Sequence, residues 1–254
     1  MTADLFDRKA RRLARQRALR LGDPFLLEGA FDDLIERLAT IDRPKQELLL
    51  VGALDPAWLA RLSGLGANVT LVEPATDEDE DRATFPLARY DAIVACGSLD
   101  TVNDLPLALC SLAQSLKPDA PLIGACFGGN SLPLLRRSLI TADRVTHEDA
   151  AVSPRAHPRI EASSLSALLG DAGLTMPVID VQRISIRYSS LNRLVADLRA
   201  SAATNVLRAR SRFTPGKTWR TRVAEEFMRG QVDGKVVETV EVLHFLAWSP
   251  ASRS

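Results

Sequence analysis

The chain has 254 residues and a mass of 27.7 kDa, enough to bury a substantial core as one large α/β domain or two smaller ones. Hydrophobic residues at 46% and charged residues at 25% exclude wholesale disorder, a collagen-like chain and a coiled-coil rod. The 32 basic and 32 acidic residues cancel, so whole-molecule charge gives no reason to expect nucleic acid as a partner.

Residues 1–21 hold Arg8, Lys9, Arg11, Arg12, Arg15, Arg17 and Arg20, interleaved with Phe6, Ala10, Leu13, Ala14, Ala18 and Leu21 at helical spacing. The pattern predicts a basic amphipathic helix whose apolar stripe packs on the body while its cations face solvent. An anionic surface, a partner, RNA or an organellar presequence is the other use of such a face. Asp23-Pro24 then reads as a cap and first-turn proline for a second helix, with Leu27, Ala30, Phe31, Leu34, Ile35 and Leu38 as its buried face.

After Pro44 the periodicity changes. Glu47 to Val51 is a short apolar run closed by Gly52, as a buried parallel strand is at its carboxyl end. Asp55-Pro56 opens a short helix that Gly64 and Gly66 stop. Val69 to Glu73 and Tyr90 to Ala95 read as further strands, followed by a helix from about Leu105 to Leu116 and a fourth strand from Pro121 to Cys126. Such alternation implies βαβ crossovers and a parallel sheet covered on both faces. Arg144 to Arg159 is a polar loop, Ser163 to Ala172 a helix, and Val178 to Tyr188 a strand. Helices near 190–203 and 217–229 precede a long last strand, Val236 to Trp248.

Ligands of open parallel sheets sit beyond the carboxyl ends of the strands. Gly52 allows close backbone approach there. Glu73, at the end of the next strand, is an acid that can accept hydrogen bonds from ribose hydroxyls. The pair is a weak signal for a nucleoside site, since one glycine and one acid recur in many α/β chains.

Asp91-Ala92-Ile93-Val94-Ala95-Cys96-Gly97-Ser98-Leu99, Val102-Asn103-Asp104-Leu105-Pro106 and Leu116-Lys117-Pro118-Asp119 resemble class I S-adenosylmethionine-dependent methyltransferases. Within that superfamily the chain resembles two groups: malonyl-carrier-protein methyltransferases of biotin synthesis and methyltransferase-like assembly factors of respiratory complex I. The second resemblance is the closer. It rests on Ile123 to Leu132, Leu135-Arg136-Arg137-Ser138-Leu139, Ser153-Pro154 and Ala247-Trp248, and spans most of the chain from Phe6-Asp7-Arg8 onward.

The resemblance implies an α/β fold: a mostly parallel, doubly wound, Rossmann-like sheet with helices on both faces. Two N-terminal helices and a helical insertion before the last, antiparallel strand complete it. One domain is expected, divided into N-terminal helices 1–42, a nucleoside-binding core 43–187, an insertion 188–235 and a last strand and tail 236–254. The resemblance also implies S-adenosylmethionine as cofactor, with Gly52, Glu73, Asp81 and Ser98 as its candidate contacts. Asp81 would face the adenine amino group. It belongs alternatively to a solvated acidic run, Asp77 to Asp81.

The departures from the family pattern are informative. The glycine-rich turn is reduced to Gly52-Ala53-Leu54-Asp55-Pro56, and proline withdraws a donor from the helix start. The helix and strand that usually follow the second-strand acid are largely deleted. Two functions follow as expectations: methylation of a small-molecule, carrier-bound or protein acceptor, or a catalytically degenerate assembly factor binding a protein through the first helix and the 188–235 insertion. Arginine hydroxylation, implied for some members of the assembly-factor branch, is a third.

No side chain stands out as a catalytic base. Tyr188 reads as a strand residue reaching the rim, and Ser131 as a helix N-cap after the Gly128-Gly129 turn, whose amides offer an anion nest or a plain strand-to-helix bend. His147, His157 and His244 share no spacing that would gather a metal. Arg136, Arg137, Arg187, Arg193 and Arg199 form either a basic rim for an acidic partner or ordinary surface pairs. Cys96, Cys110 and Cys126 make no CxxC pair and fit a reducing compartment. No run reaches the ~20 apolar residues that a membrane helix requires, and the N-terminus lacks a signal-peptide core. A cytoplasmic protein without a transmembrane segment is expected.

Overall fold

Six strands carry the architecture: β1 (Glu47–Val51), β2 (Asn68–Val72), β3 (Ala92–Cys96), β4 (Pro121–Phe127), β5 (Thr175–Tyr188) and β6 (Val236–Trp248). In the computed structural model, which describes residues 4–146, 154–211 and 216–251, they form one sheet ordered β2-β1-β3-β4-β6-β5. His147 and Ser153 lie outside the described residues. The pairs β1–β2, β1–β3 and β3–β4 are parallel, whereas β6 runs antiparallel to both β4 and β5.

The central strands are continuous apolar runs because both faces are covered. Leu48 and Leu50 of β1 pack toward α2 (Phe25–Thr40) and α3 (Pro56–Ser63), in the cluster that also takes Leu194 of α7 (Leu191–Ala200) and Phe227 of α8 (Lys217–Met228). Leu49 and Val51, pointing the opposite way, join α4 (Leu105–Ser115) and α6 (Ala162–Asp171). Phe31 and Trp58 stack at 4.3 Å within the first cluster, worth about 1 kcal/mol beyond their buried area.

Two local expectations are corrected. Asp23 does not cap α2: its φ is +53°, and Pro24 holds the N-cap position without a side-chain bond. Ser131 does not cap α5 (Pro133–Thr146). Its hydroxyl donates to the Gly128 and Glu241 carbonyls and accepts from the Glu241 amide. The first amides of α5, Leu134 and Leu135, donate instead to Glu238 of β6, a residue more than a hundred positions away.

The chain leaves β1 for β2 on one side and returns to β3 on the other. The strand order therefore reverses between β1 and β3, where an open α/β sheet presents its crevice. The register Val51↔Val72 and Val51↔Ala95 sets Gly52, Glu73 and the Gly97-Ser98 turn side by side at that rim.

Candidate functional site

Gly52 takes φ +79°, the left-handed region that a Cβ disfavours. A Cβ there would stand 2.7 Å from the Cys96 carbonyl oxygen and 2.9 Å from Ser98 Cβ, so the glycine is needed for packing strand end against strand end. Ala53 and Leu54 fill the rest of the turn and are buried in it. Asp55 caps α3 by accepting from the Ala57 amide, and Pro56 is turned outward to solvent.

What enters the crevice is helix α1 (Arg8–Leu21), capped by Asp7. Arg11 and Arg15 are each 2% exposed, whereas Leu13 and Leu21 are 49% and 56% exposed. The expectation of an apolar stripe inside and cations in water holds only in part: Phe6, Ala14 and Ala18 are buried and Lys9, Arg12, Arg17 and Arg20 face solvent, but Arg11 and Arg15 turn inward while Leu13 and Leu21 turn out. Arg8, Arg11 and Arg15, spaced i, i+3, i+7, lie on one face, and the sheet meets that face with carboxylates.

Arg15 Nε and Nη2 donate to the two oxygens of Glu73 at 2.5 and 2.7 Å, and its Nη1 donates to the Gly97 carbonyl at 2.8 Å. The Ala53 and Ala75 amides donate to the same carboxylate at 2.8 and 3.0 Å. Burial would raise the Glu73 carboxyl, but the charge and hydrogen bonds of Arg15 and the two amides outweigh it and hold the pKa below the ordinary carboxylate value. Arg11 donates to Asp79, Glu80, the Ser98 carbonyl and Thr101 Oγ1. Arg8 grips both oxygens of Asp81 at 2.7 and 2.6 Å and also reaches Asp79. Asp77 and Glu78 are exposed but Asp79, Glu80 and Asp81 are buried, which corrects the reading of a solvated acidic run for its last three residues, Asp81 included. Burial pushes the Asp81 carboxyl up, and the hydrogen bonds and charge of Arg8 more than reverse it.

Every predicted contact residue is therefore at the rim, yet three of the four are engaged by the protein itself. Gly52 abuts the β3 turn, Glu73 holds Arg15 and Asp81 holds Arg8. Of the four, Ser98 keeps a buried hydroxyl without a hydrogen-bond partner, close to the Gly52 backbone.

A bound S-adenosylmethionine would require Glu73 to accept from ribose hydroxyls. An ionised carboxylate offers about four acceptor positions, and Glu73 already accepts four donors. With α1 docked the residues do not fit the cofactor. Sequence reading missed Arg11 and Arg15 because apolar periodicity assigns arginine to the outer face. The signal available was the match of three cations at helical spacing to the acids at 73, 79, 80 and 81.

The remaining candidates are structural. Tyr188 is buried and donates to Asp197 at 2.8 Å, so it does not reach the rim. The Gly128–Asn130 turn is occupied by Glu241, whose carbonyl and carboxylate accept from the Gly128 and Asn130 amides. Buried His157 accepts from the Val206 amide, and His244 meets Gln182. Among the described residues no group of His, Cys, Asp or Glu is placed to hold a metal. Burial pushes the Cys96 and Cys126 thiols far up, leaving them unreactive hydrophobes. Asp100 pairs at 2.8 Å with Arg159, which lies over the Phe127 ring.

The doubly wound sheet, its switch point and the strand-end acid define a class I S-adenosylmethionine-dependent methyltransferase-like protein. Comparison with known proteins agrees: a methyltransferase domain family matches residues 15–177, and the chain belongs to that family. The chain is 33% identical over 171 residues to the mitochondrial arginine-hydroxylase NDUFAF5 of Rattus norvegicus, covering 67% of this chain and 49% of that protein. It is 30% identical to the malonyl-[acyl-carrier protein] O-methyltransferase of Laribacter hongkongensis, covering 68% and 56%. In these alignments the chain spans about half the length of the curated relatives it matches. A putative methyltransferase from Bacillus halodurans has a similar fold, with a TM-score of 0.54, 9% identity, and coverage of 85% of this chain and 97% of that one. No helix among the described residues is long and apolar enough to cross a membrane.

Proposed function

We propose that this chain uses the methyltransferase fold as a binding factor for a protein client and transfers no methyl group. The observation that supports the reading is the saturation of Glu73 by Arg15 and two backbone amides, at the position where the family's nucleoside would sit. The outer face of α1 gives such a factor a surface: Lys9, Arg12, Arg17 and Arg20 stay exposed beside Leu13 and Leu21, a combination suited to an acidic, partly apolar partner. The carrier-protein methyltransferase relative, whose name gives a carrier protein as its acceptor, supports a protein as the client class.

The test is isothermal titration of S-adenosylmethionine and S-adenosylhomocysteine into the purified chain, alongside the Arg15→Ala variant. Wild type is expected to give no saturable heat even at millimolar ligand. Binding that appears only in Arg15→Ala identifies the latch as the sole obstacle; no binding in either assigns the loss to the Ala53-Leu54 turn as well. Micromolar binding by wild type, or label passing from the cofactor to an acceptor protein, overturns the reading.

A further inference from the structure

Beyond the carboxyl end of β4, helices α5, α7 and α8 and the 155–159 segment enclose a cavity of ≈ 480 Å³. That volume lies within the range of small-molecule sites, about 300–1,000 Å³. Leu135, Leu139, Val195, Leu198 and Trp219 supply apolar wall, and no aspartate or glutamate is among the described lining residues. Five arginines line it instead. Two are neutralised from behind: Asp143 pairs with Arg155 through two bonds of 2.9 Å, and Asp100 with Arg159 at 2.8 Å. Arg136 donates only to the His157 carbonyl, at 3.2 Å, and Arg199 and Arg220 meet no carboxylate among the described residues. His157 is neutral, since burial first and then Arg159 and Arg136 push its pKa down to about 3.

We infer that this cavity binds an amphipathic monoanion of the long-chain carboxylate class, its tail between α5, α7 and α8 and its head group on Arg136, Arg199 and Arg220. Arg199 and Arg220 are exposed at the mouth and Arg136 is half-buried, so an anionic head group there gains charge-assisted bonds that a neutral one cannot make. A short anion would leave the leucines wet. A cation would be repelled. The inference rests on a different set of side chains from the nucleoside crevice, which the cavity meets through the Asp100-Thr101 turn and through the packing of α1 on α7 and of Phe6 on His157.

The probe is dodecanoate below its micelle concentration, followed by calorimetry and by the emission of Trp219, which lines the site. One equivalent should bind, at least about tenfold more tightly than dodecanol, while dodecyltrimethylammonium should not bind. Arg136→Gln with Arg199→Gln should weaken dodecanoate by about tenfold or more, the loss of one charge-assisted contact, and leave dodecanol unaffected. Val195→Trp, which fills the cavity, should abolish binding; if it does not fold, the exposed-rim arginine pair remains the test. Equal affinity for dodecanol, full binding by a folded Val195→Trp, or binding to phosphatidylglycerol vesicles but not to monomeric dodecanoate would each overturn the proposal. The last outcome would assign the arginines to a membrane surface.

Discussion

The two hollows beyond the strand ends are built on opposite principles. Between β1, β2 and β3 the walls are carboxylates and the space is filled by guanidinium groups from α1. Between α5, α7 and α8 the walls are apolar, the rim is cationic and the space is open. Buried charge demands a partner, because an unpaired ion in a low-dielectric site costs several kcal/mol. Apolar wall demands only cover. A crevice walled by buried carboxylates therefore needs cations, here the chain's own, whereas an apolar cavity can persist without an internal occupant. The same contrast separates specificity from stability: a guanidinium–carboxylate fork fixes one geometry, and leucines accept many.

The largest test of that contrast is Arg15→Ala. It strands Glu73, 3% exposed, with two amides and no cation. The expected loss is about 3–5 kcal/mol in urea unfolding. Pairing it with Glu73→Gln should recover part of that, since no charge is left buried but only one of the Ala53 and Ala75 amides keeps a carbonyl acceptor, the other facing the glutamine NH2. A loss below about 1 kcal/mol would mean that α1 is held by its other contacts, Phe6 on Val206 and Leu207 among them, and that the latch is incidental.

A smaller effect separates a packing glycine from a ligand-facing one. Gly52→Ala places a Cβ 2.7 Å from a backbone oxygen at φ +79°, whereas Gly66→Ala takes φ +84° with nothing within 4 Å. Strain at the dihedral is common to both, at about 1 kcal/mol, and the clash adds about 2 kcal/mol to the first. Equal melting temperatures for the two variants would show that the β1–β3 rim yields, and that space for a nucleoside can open there.

These contrasts explain what the sequence discloses and what it hides. The parallel strands are legible because a strand buried on both faces must be apolar throughout, as Leu48 to Val51 and Pro121 to Cys126 are. β6 and α4 are legible for related reasons, their apolar length and their Asp104-Leu105-Pro106 start, where Asp104 caps the helix. The rim residues Gly52 and Glu73 follow from strand ends alone. What stays hidden is carried by pairs distant in sequence. Nothing near Ser131 reveals that Glu238 caps α5, and nothing within 1–21 reveals that Arg11 and Arg15 face inward. Periodicity ranks side chains by their affinity for water, and a guanidinium matched to a buried carboxylate reverses that rank.

His157 tests the apolar region by pH. It is 5% exposed, accepts a 2.8 Å hydrogen bond from the Val206 amide at Nε2, and sets its ring edge-on to Phe6 at 5.5 Å. Burial and then the nearby Arg159 and Arg136 lower its pKa to about 3 in the folded chain, against about 6.5 when unfolded. Between those values the unfolded chain holds one more proton, so stability rises with pH across the window. It is complete above about pH 6.5 and lost progressively as pH falls toward about 3. From pH 8 to pH 5 the histidine should remove about 2 kcal/mol. His157→Gln keeps an acceptor for Val206 but does not titrate, so its urea midpoint should fall less than that of wild type over the same interval. Protonation would also break the Val206 bond, because a charged imidazole has no lone pair to offer, and would add a cation to a wall that already carries five arginines. If both proteins lose stability equally, the ring is reached by solvent, and the wall between α7 and the 155–159 segment is looser than an apolar ligand site requires.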